Sequence, residues 1–128
     1  MHLSAVFKEY GIDVEHTKIV RHPLNKKDIR KIYKLGMIED YQSKQGKPVF
    51  DNCKYIVSFL GTSGNEARFI GVYEIIERLE GDIVKTKMPK DYPYPEHFEE
   101  GYYYVMKKTD IMEDLQTRLC VDWVNAVS

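Results

Sequence analysis

Residue types that build metal sites and covalent active sites are scarce in this sequence. Among 128 residues there are only two cysteines and four histidines, and no Cys/His group has the spacing of a zinc site. The chain also lacks a Gly-x-Ser-x-Gly nucleophile motif and a phosphate-binding loop with its lysine. The acidic pairs Glu39-Asp40 and Glu99-Glu100 are adjacent in sequence, so their side chains do not converge locally as two-metal hydrolysis requires. We therefore predict no metal, no cofactor and no enzymatic activity, unless the fold assembles an active site from distant residues.

Long apolar runs and disulfide patterns are absent as well. No stretch approaches the ~18 apolar residues that span a bilayer, and residues 1–12 lack the basic and apolar regions of a signal peptide. Cys53 and Cys120 each lie in an apolar, strand-like run, which is typical of a small buried side chain and not of a disulfide. These observations predict a cytoplasmic protein with no membrane contact. The chain length suits one domain, so we expect residues 1–128 to form a single unit.

Charge is distributed unevenly, although the net charge is only −1. Residues 1–64 contain 11 basic and 7 acidic residues, a balance of +4, whereas residues 65–128 contain 8 and 13, a balance of −5. This asymmetry predicts a basic face on a nearly neutral body. An exposed basic helix face binds phosphates in a salt-dependent way, but the same pattern is also typical of an ordinary solvated helix. The basic cluster consists of Lys18, Arg21, Lys26, Lys27, Arg30, Lys31 and Lys34.

The N-terminal third is predicted to be helical. Apolar residues spaced i, i+3, i+4 and i+7 from residue 3 to residue 10 predict a first helix, with Gly11 as its C-cap. A short strand or extended connector is predicted over residues 17–21, and a further turn or short helix over residues 37–45. Between them, a second helix is predicted to begin at Asn25 as its N-cap and to end near residue 36. The apolar stripe of this second helix consists of Ile29, Ile32 and Tyr33.

Strands are predicted from residue 49 onward, where β-branched and aromatic residues dominate. Two of them form an antiparallel hairpin whose turn spans residues 61–65, and Gly71 in the second indicates a bulge or a close backbone approach. Three prolines within residues 89–100 predict a rigid irregular loop. The predicted fold is therefore α+β, with N-terminal helices packed on a strongly bent, mainly antiparallel sheet or small barrel of about five strands. The predicted strands cover residues 49–50, 55–60, 67–76, 80–88, 102–106 and 118–123.

Polar side chains in two short segments are candidates for contacts with a ligand. Arg21 and His22 precede a proline at the end of a predicted strand, where they contact an anion or a base in one interpretation. In the other interpretation, Arg21 pairs with an acidic residue and His22 bonds to the backbone. Tyr41, Gln42 and Gln45 lie in a segment rich in stacking and hydrogen-bonding groups, which is also compatible with an ordinary polar connector.

Tyrosine is unusually frequent, with 10 in the chain. Aromatic side chains on a loop beside a strand can line a pocket that stacks a flipped base. The alternative interpretation is that the tyrosines pack in the core and on the surface, and that Trp123 is a core residue. The predicted aromatic pocket consists of Tyr92, Tyr94, Tyr103 and Trp123.

Several short segments occur in an order that is familiar from one family. They are Gly11-Ile12-Asp13, Ile19-Val20-Arg21-His22, Tyr41-Gln42-Ser43-Lys44-Gln45, Ser58-Phe59-Leu60-Gly61-Thr62, Phe69-Ile70-Gly71-Val72-Tyr73 and Arg118-Leu119-Cys120-Val121-Asp122-Trp123. In this order the set resembles the N-terminal accessory region of bacterial GIY-YIG nuclease family proteins. In that family a nuclease domain follows, with Gly-Ile-Tyr and Tyr-Ile-Gly strands and a catalytic Arg and Glu, none of which is recognisable here. The resemblance therefore implies a recognition domain without its catalytic domain and, by fold-level analogy, a PUA-like sheet.

Together these patterns predict a non-catalytic DNA-recognition domain of a nuclease or restriction system, with a modified base as one candidate target. The predicted partner is double-stranded DNA, and a fused or associated nuclease domain is the predicted source of catalysis. Two alternatives remain open: an RNA- or nucleotide-binding module of PUA-like shape, and a protein-interaction domain whose interface is the tyrosine-rich loop. The predicted DNA-contacting residues are Arg21, His22, Lys26, Lys27, Arg30, Lys31, Lys34, Tyr41, Gln42 and Gln45.

Overall fold

A strongly curled sheet with helices packed on it forms the body of the protein, as the sequence predicts. The computed structural model describes residues 2–62 and 64–127. The strand order is β1-β3-β4-β5-β2, and β6 pairs with β4 beside this path. β1 is parallel to β3, and the other pairings are antiparallel. The strands are β1 (Thr17–Pro23), β2 (Lys44–Gln45), β3 (Tyr55–Gly61), β4 (Glu66–Glu80), β5 (Tyr102–Lys108) and β6 (Cys120–Asp122).

The curl of the sheet comes from β4, which is 15 residues long. Its first half pairs with β3 and its second half with β5, so the strand bends to serve both partners. The β3–β4 register shifts where Ser58 faces Gly71 and Phe59 faces Phe69, which leaves Ile70 as an extra residue. A Cβ on Gly71 would lie 2.9 Å from Cε of Lys108. The bulge predicted at Gly71 is therefore confirmed, and the close neighbours of Gly71 are side chains of Lys108 and Tyr73, not another backbone.

The predicted N-terminal helices are present, and each buries part of its predicted apolar stripe. Helix α1 buries Leu3 and Phe7, and Gly11 follows it with a left-handed φ of +71°. Helix α2 begins after Lys26 and not after Asn25. It buries Ile29 and Ile32, whereas Tyr33, predicted for the same stripe, is 44% exposed. The α-helices are α1 (Leu3–Glu9), α2 (Lys27–Lys34), α3 (Ile38–Ser43) and α4 (Trp123–Val127), with 3₁₀ helices at Val14–His16, Gly81–Lys87, Pro95–Phe98 and Glu113–Leu115.

Three strand predictions are wrong in whole or in part. The segment predicted as a strand over residues 80–88 is the 3₁₀ helix Gly81–Lys87, because Gly81 leaves the sheet with a φ of +83°. Residues 49–50 form a turn. The last strand ends at Asp122, where helix α4 begins.

The predictions for the two cysteines and for the hairpin turn have mixed outcomes. Cys120 is exposed, not buried, because residues alternate between the two faces of β6 and Val121 is the inward one. Cys53 is partly buried. Ser63, which belongs to the predicted turn, lies outside the described residues.

Separate hydrophobic clusters lie on different parts of the sheet. One cluster joins the sheet to α1 and α4, and Phe59 and Phe69 are fully buried within it. Another joins α2 to the proline-rich segment 89–100 through Ile32, Tyr92 and Phe98. Among the helices that the structure describes, none has the length and apolar character required to cross a membrane.

Candidate functional site

An open recess of about 180 Å³ lies between α3 and the proline-rich segment 89–100. Tyr41 enters it from α3, Lys44 from β2, and Gly46 from the turn that follows β2. The opposite wall consists of Tyr92 and His97. We call this site, lined by these five residues, the aromatic recess.

The proline-rich segment is fixed in place by its own aromatic residues. Phe98 is almost fully buried, and its ring packs edge-on against Tyr92 with the ring centroids 4.9 Å apart. Both rings belong to the same cluster as Ile32 of α2. Pro95 starts the 3₁₀ helix Pro95–Phe98, where its fixed φ suits a helical start. The wall of the recess is therefore anchored to the basic helix through the core.

His97 lies among three tyrosine rings. Its ring centroid is 6.1 Å from that of Tyr41, 5.8 Å from that of Tyr92 and 5.2 Å from that of Tyr94. The hydroxyl of Tyr92 is 2.9 Å from Nδ1 of His97. Burial raises the pKa of Tyr92 well above its ordinary value, so the phenol stays protonated. The recess thus has aromatic walls, and in one of them the imidazole of His97 is hydrogen-bonded to Tyr92.

Four cations of α2 lie on one face of the helix, which we call the basic stripe. Their spacing of i, i+3, i+4 and i+7 puts them on the side opposite the buried Ile29 and Ile32. All four are exposed, and none forms an ion pair within the part of the chain that the structure describes. Lys26 is exposed just before the helix. The basic stripe consists of Lys27, Arg30, Lys31 and Lys34.

One contact joins the basic stripe to the aromatic recess. The ammonium nitrogen of Lys31 lies 5.8 Å from the centroid of the Tyr94 ring, within the range of a cation–π interaction. Tyr94 in turn packs on His97 at an interplanar angle of 31°. The basic stripe is therefore linked to the recess wall through Tyr94.

Arg21 lies away from this surface and braces the β3–β4 hairpin. Its Nη2 donates to the carbonyl oxygens of Gly64 at 3.0 Å and of Glu66 at 3.3 Å. The guanidinium occupies the space next to Gly61 that a side chain there would fill. Its Nε is buried and has no hydrogen-bond partner among residues 2–62 and 64–127. Arg21 thus bonds to backbone carbonyls of the hairpin and not to an acidic residue.

His22 and Gln42 form a buried pair beneath the recess. They are 7% and 2% exposed, and Nε2 of His22 is 2.8 Å from Oε1 of Gln42. Burial lowers the pKa of His22, so the imidazole is neutral. Its Nε2 donates the hydrogen bond, because Oε1 of Gln42 is an acceptor. Tyr41 packs edge-on against His22 at 5.9 Å, and Gln45 donates to the Gln42 carbonyl at 2.9 Å. Of the polar segment 41–45, Tyr41 and Lys44 line the recess, whereas Gln42 and Gln45 support it.

The buried His22 is expected to make stability depend on pH. Its folded pKa is lowered, so the unfolded chain binds the proton more readily, and stability is lost as the pH falls below the ordinary histidine pKa of about 6.5. We expect the free energy of unfolding to fall less steeply between pH 7 and pH 5 in His22→Gln than in the wild type. The difference in slope is at most ~1.4 kcal/mol per pH unit for one group. Urea denaturation at several pH values measures it.

An exposed histidine serves as the matched control for this measurement. The carboxylate of Asp13 raises the pKa of His16, which is the opposite direction. His16→Gln is therefore expected to keep the steep loss of stability at acidic pH. Equal slopes in the wild type and in His22→Gln would contradict the role of the buried imidazole.

The structure brings together some of the predicted aromatic residues and separates others. Tyr92 lines the recess, Tyr94 lies at its rim, and Tyr103 packs beneath it against Phe98 at 6.3 Å. Trp123 instead packs on Phe59 at 5.4 Å, in the cluster on the other part of the sheet. The prediction that Trp123 shares a pocket with the tyrosines is therefore wrong, and the core interpretation holds for it.

Three residues of the recess were missed by the sequence prediction. They are Lys44, Gly46 and His97. Only His97 could have been predicted from the sequence, because it lies two residues after Pro95 in the segment that supplied two of the predicted aromatic residues. Lys44 and Gly46 become neighbours of that segment only through the pairing of β2 with β5.

One group among the described residues has ligand atoms close enough to hold a metal ion. Asp13, Glu15 and His16 have such atoms within 4.8 Å of one another, and all three are exposed. Their contacts are those of a helix start, because Oδ1 of Asp13 accepts from the Glu15 amide at 3.0 Å and caps the 3₁₀ helix. This arrangement has a structural explanation without a metal.

Comparison of the chain with protein-family models, with curated proteins and with solved structures gives no match. The aromatic recess and the basic stripe are therefore the structural features that indicate what the protein binds.

Proposed function

We propose that this protein is a non-catalytic DNA-binding module that holds phosphates on the basic stripe and takes a single base into the aromatic recess. The observation that carries the proposal is the contact between Lys31 and Tyr94, which makes the charged surface and the recess continuous. From Lys27 to Lys34 the stripe extends about 10.5 Å along the helix. This length corresponds to roughly three base-pair steps of about 3.4 Å.

The dimensions of the recess suit one planar base. Its volume of about 180 Å³ is below the roughly 300–1,000 Å³ of pockets for drug-sized ligands. A base inside a duplex does not reach such a site, so the target nucleotide must be unpaired or flipped out. Tyr41 and His97, which are partly exposed, then provide aromatic surfaces, and stacking on such surfaces is worth about 1–3 kcal/mol per base.

The biological setting that we propose is target selection for a nuclease of a restriction system. This part of the proposal is supported by the ordered segments that resemble the accessory region of GIY-YIG nuclease family proteins. In such an arrangement the module chooses the site and a separate domain cuts the strand. A modified base that is more easily flipped is a suitable target, because unpairing costs a few kcal/mol and less for a damaged or mismatched base.

Blocking the recess is expected to abolish base capture without disturbing the basic stripe. Gly46 lines the recess, its φ lies outside the left-handed region, and a Cβ there would have no neighbour within 4 Å. Gly46→Leu therefore adds a side chain at the recess wall without backbone strain. We expect it to remove a preference of about 10-fold for a duplex with one unpaired base over a fully paired duplex, consistent with the energy of one stacked base. Binding to the paired duplex is expected to stay the same.

Fluorescence anisotropy with short duplexes at two salt concentrations measures both quantities. The set includes paired, single-mismatch, cytosine-modified and adenine-modified duplexes, and an RNA of equal length as competitor. Gly46→Ala, which adds only one methyl group, is the matched control and is expected to retain most of the preference. Failure to bind any duplex at low salt would rule out the proposed function, and stronger competition by RNA would assign the module to RNA.

A further inference from the structure

The hydrogen-bonding state of His97 is set by its neighbour in the recess wall. The Tyr92 hydroxyl is 2.9 Å from Nδ1 of His97 and makes no other hydrogen bond within the described residues. With the Tyr92 hydroxyl as the donor to Nδ1, the proton of the neutral imidazole resides on Nε2. Protonation of the ring would also leave an N–H at Nε2. In either state His97 offers a donor from Nε2, which has no hydrogen-bond partner in residues 2–62 and 64–127.

Lys44 provides a second donor to the same recess. Its ammonium donates one hydrogen bond to the Gln45 carbonyl at 3.2 Å, which leaves two of its three N–H groups for a ligand. The side chain is half-buried, and burial lowers the pKa of Lys44. Gly101 lies beside the ammonium, and a Cβ on it would be 2.6 Å from Nζ. The lysine head is therefore held at the recess and not spread into solvent.

Two donors and aromatic walls define the edge of the base that fits. Guanine presents two neighbouring acceptors, O6 and N7, whereas adenine pairs the N7 acceptor with an N6 amino donor. Lysine contacts to guanine O6 and N7 are among the commonest specific contacts to bases. We propose that the aromatic recess selects guanine, with Lys44 and His97 donating to O6 and N7 while the Tyr41 ring stacks on the purine. This inference rests on the proposed function and names the base that the recess takes.

Base analogues at one unpaired position of an otherwise constant duplex test the selection. Guanine and hypoxanthine both carry O6 and N7, so we expect them to bind equally in anisotropy titrations. Adenine replaces O6 by a donor, and 7-deazaguanine lacks N7, so each is expected to bind about 10-fold more weakly. A 7-deazaguanine duplex that binds as tightly as guanine, or a cytosine duplex that does so, would overturn the guanine assignment.

The outcomes separate this inference from the proposed function. Equal affinity for every unpaired base, still above that for the paired duplex, overturns the guanine assignment and retains base capture in the recess. Loss of any difference between unpaired and paired duplexes overturns both. Competition by guanosine monophosphate but not by adenosine monophosphate would support recognition of the base itself, and equal competition by the two would count against it.

A lysine variant tests which group supplies the selectivity. Lys44→Met keeps an unbranched side chain as far as the ε position and removes the donors, and Lys47→Met removes a nearby exposed charge that does not line the recess. The readout is the ratio of guanine affinity to adenine affinity, because a purely structural or electrostatic role changes both affinities together. We expect the ratio to fall about 10-fold in Lys44→Met and to stay unchanged in Lys47→Met. An unchanged ratio in Lys44→Met would remove Lys44 from the assignment.

Discussion

Replacing Lys27, Arg30 and Lys34 together by alanine is expected to weaken duplex binding by roughly 100- to 500-fold at about 0.1 M salt. Each phosphate that a cation neutralises contributes about 0.9 to the slope of log affinity against log salt concentration. Removing three such cations should therefore make this slope less negative by about 2.7. Since 0.1 M is one decade of salt concentration below ~1 M, where the electrostatic contribution vanishes, the affinity at 0.1 M should fall by up to about 2.7 decades. Lys31 stays in place because it packs on Tyr94. Alanine favours helix, so α2 should remain folded.

The matched control removes three exposed cations elsewhere on the molecule. Lys8 lies on α1, and Lys85 and Lys87 lie on the 3₁₀ helix Gly81–Lys87. Their combined replacement by alanine changes the net charge by the same amount. In anisotropy titrations from 50 to 200 mM salt, the slope of log affinity against log salt concentration should be the same for this control as for the wild type. Equal weakening in both triple variants would show that binding follows net charge and not the basic stripe.

Phe59→Ala is expected to lower the free energy of unfolding by about 3–5 kcal/mol. The ring is fully buried in β3 and packs edge-on against Phe69 at 5.7 Å and Trp123 at 5.4 Å. Truncation removes this apolar contact and leaves a cavity, and both terms destabilise the fold. Denaturant titration measures the change, and Trp123, the single tryptophan, reports unfolding by its fluorescence.

A second readout distinguishes core packing from a role in binding. The cluster around Phe59 is separate from the one that supports the aromatic recess. DNA affinity of the Phe59→Ala variant, measured where it is still folded, should therefore match the wild type. Phe59→Leu retains more of the apolar volume and should cost less stability. A loss below about 1 kcal/mol in Phe59→Ala would contradict the placement of this ring at the centre of the core.

Elements with a clear period were predicted well from the sequence. The apolar spacing from residue 3 to residue 10 corresponds to α1, and the β-branched runs correspond to β3 and β4. The spacing in α1 places its buried side chains on one face of the helix, whereas the continuous apolar run of β3 is buried on both faces of the sheet. The prediction for segment 80–88 was wrong because Gly81, with a φ of +83°, turns the chain out of the sheet before Ile83 and Val84 are reached.

The candidate site was predicted only in part. Tyr41 and Tyr92 were assigned to ligand contacts and both line the recess. His22 and Gln42 were also assigned, but they bond to each other beneath it. A polar side chain in a sequence carries no mark of whether its partner is a ligand or another side chain, because that depends on which distant residue the fold places opposite to it.

The sequence by itself determined the basic stripe, because a helix with four cations at i, i+3, i+4 and i+7 must collect them on one face once Ile29 and Ile32 are buried. Only the tertiary structure decided that an aromatic recess lies next to that stripe. Residues 41–46 and 92–97 are about 50 positions apart in the chain, and they meet because β2 pairs with β5 and because Phe98 packs with Ile32. Contacts at such a separation depend on the packing of the whole core, which local periodicity does not encode.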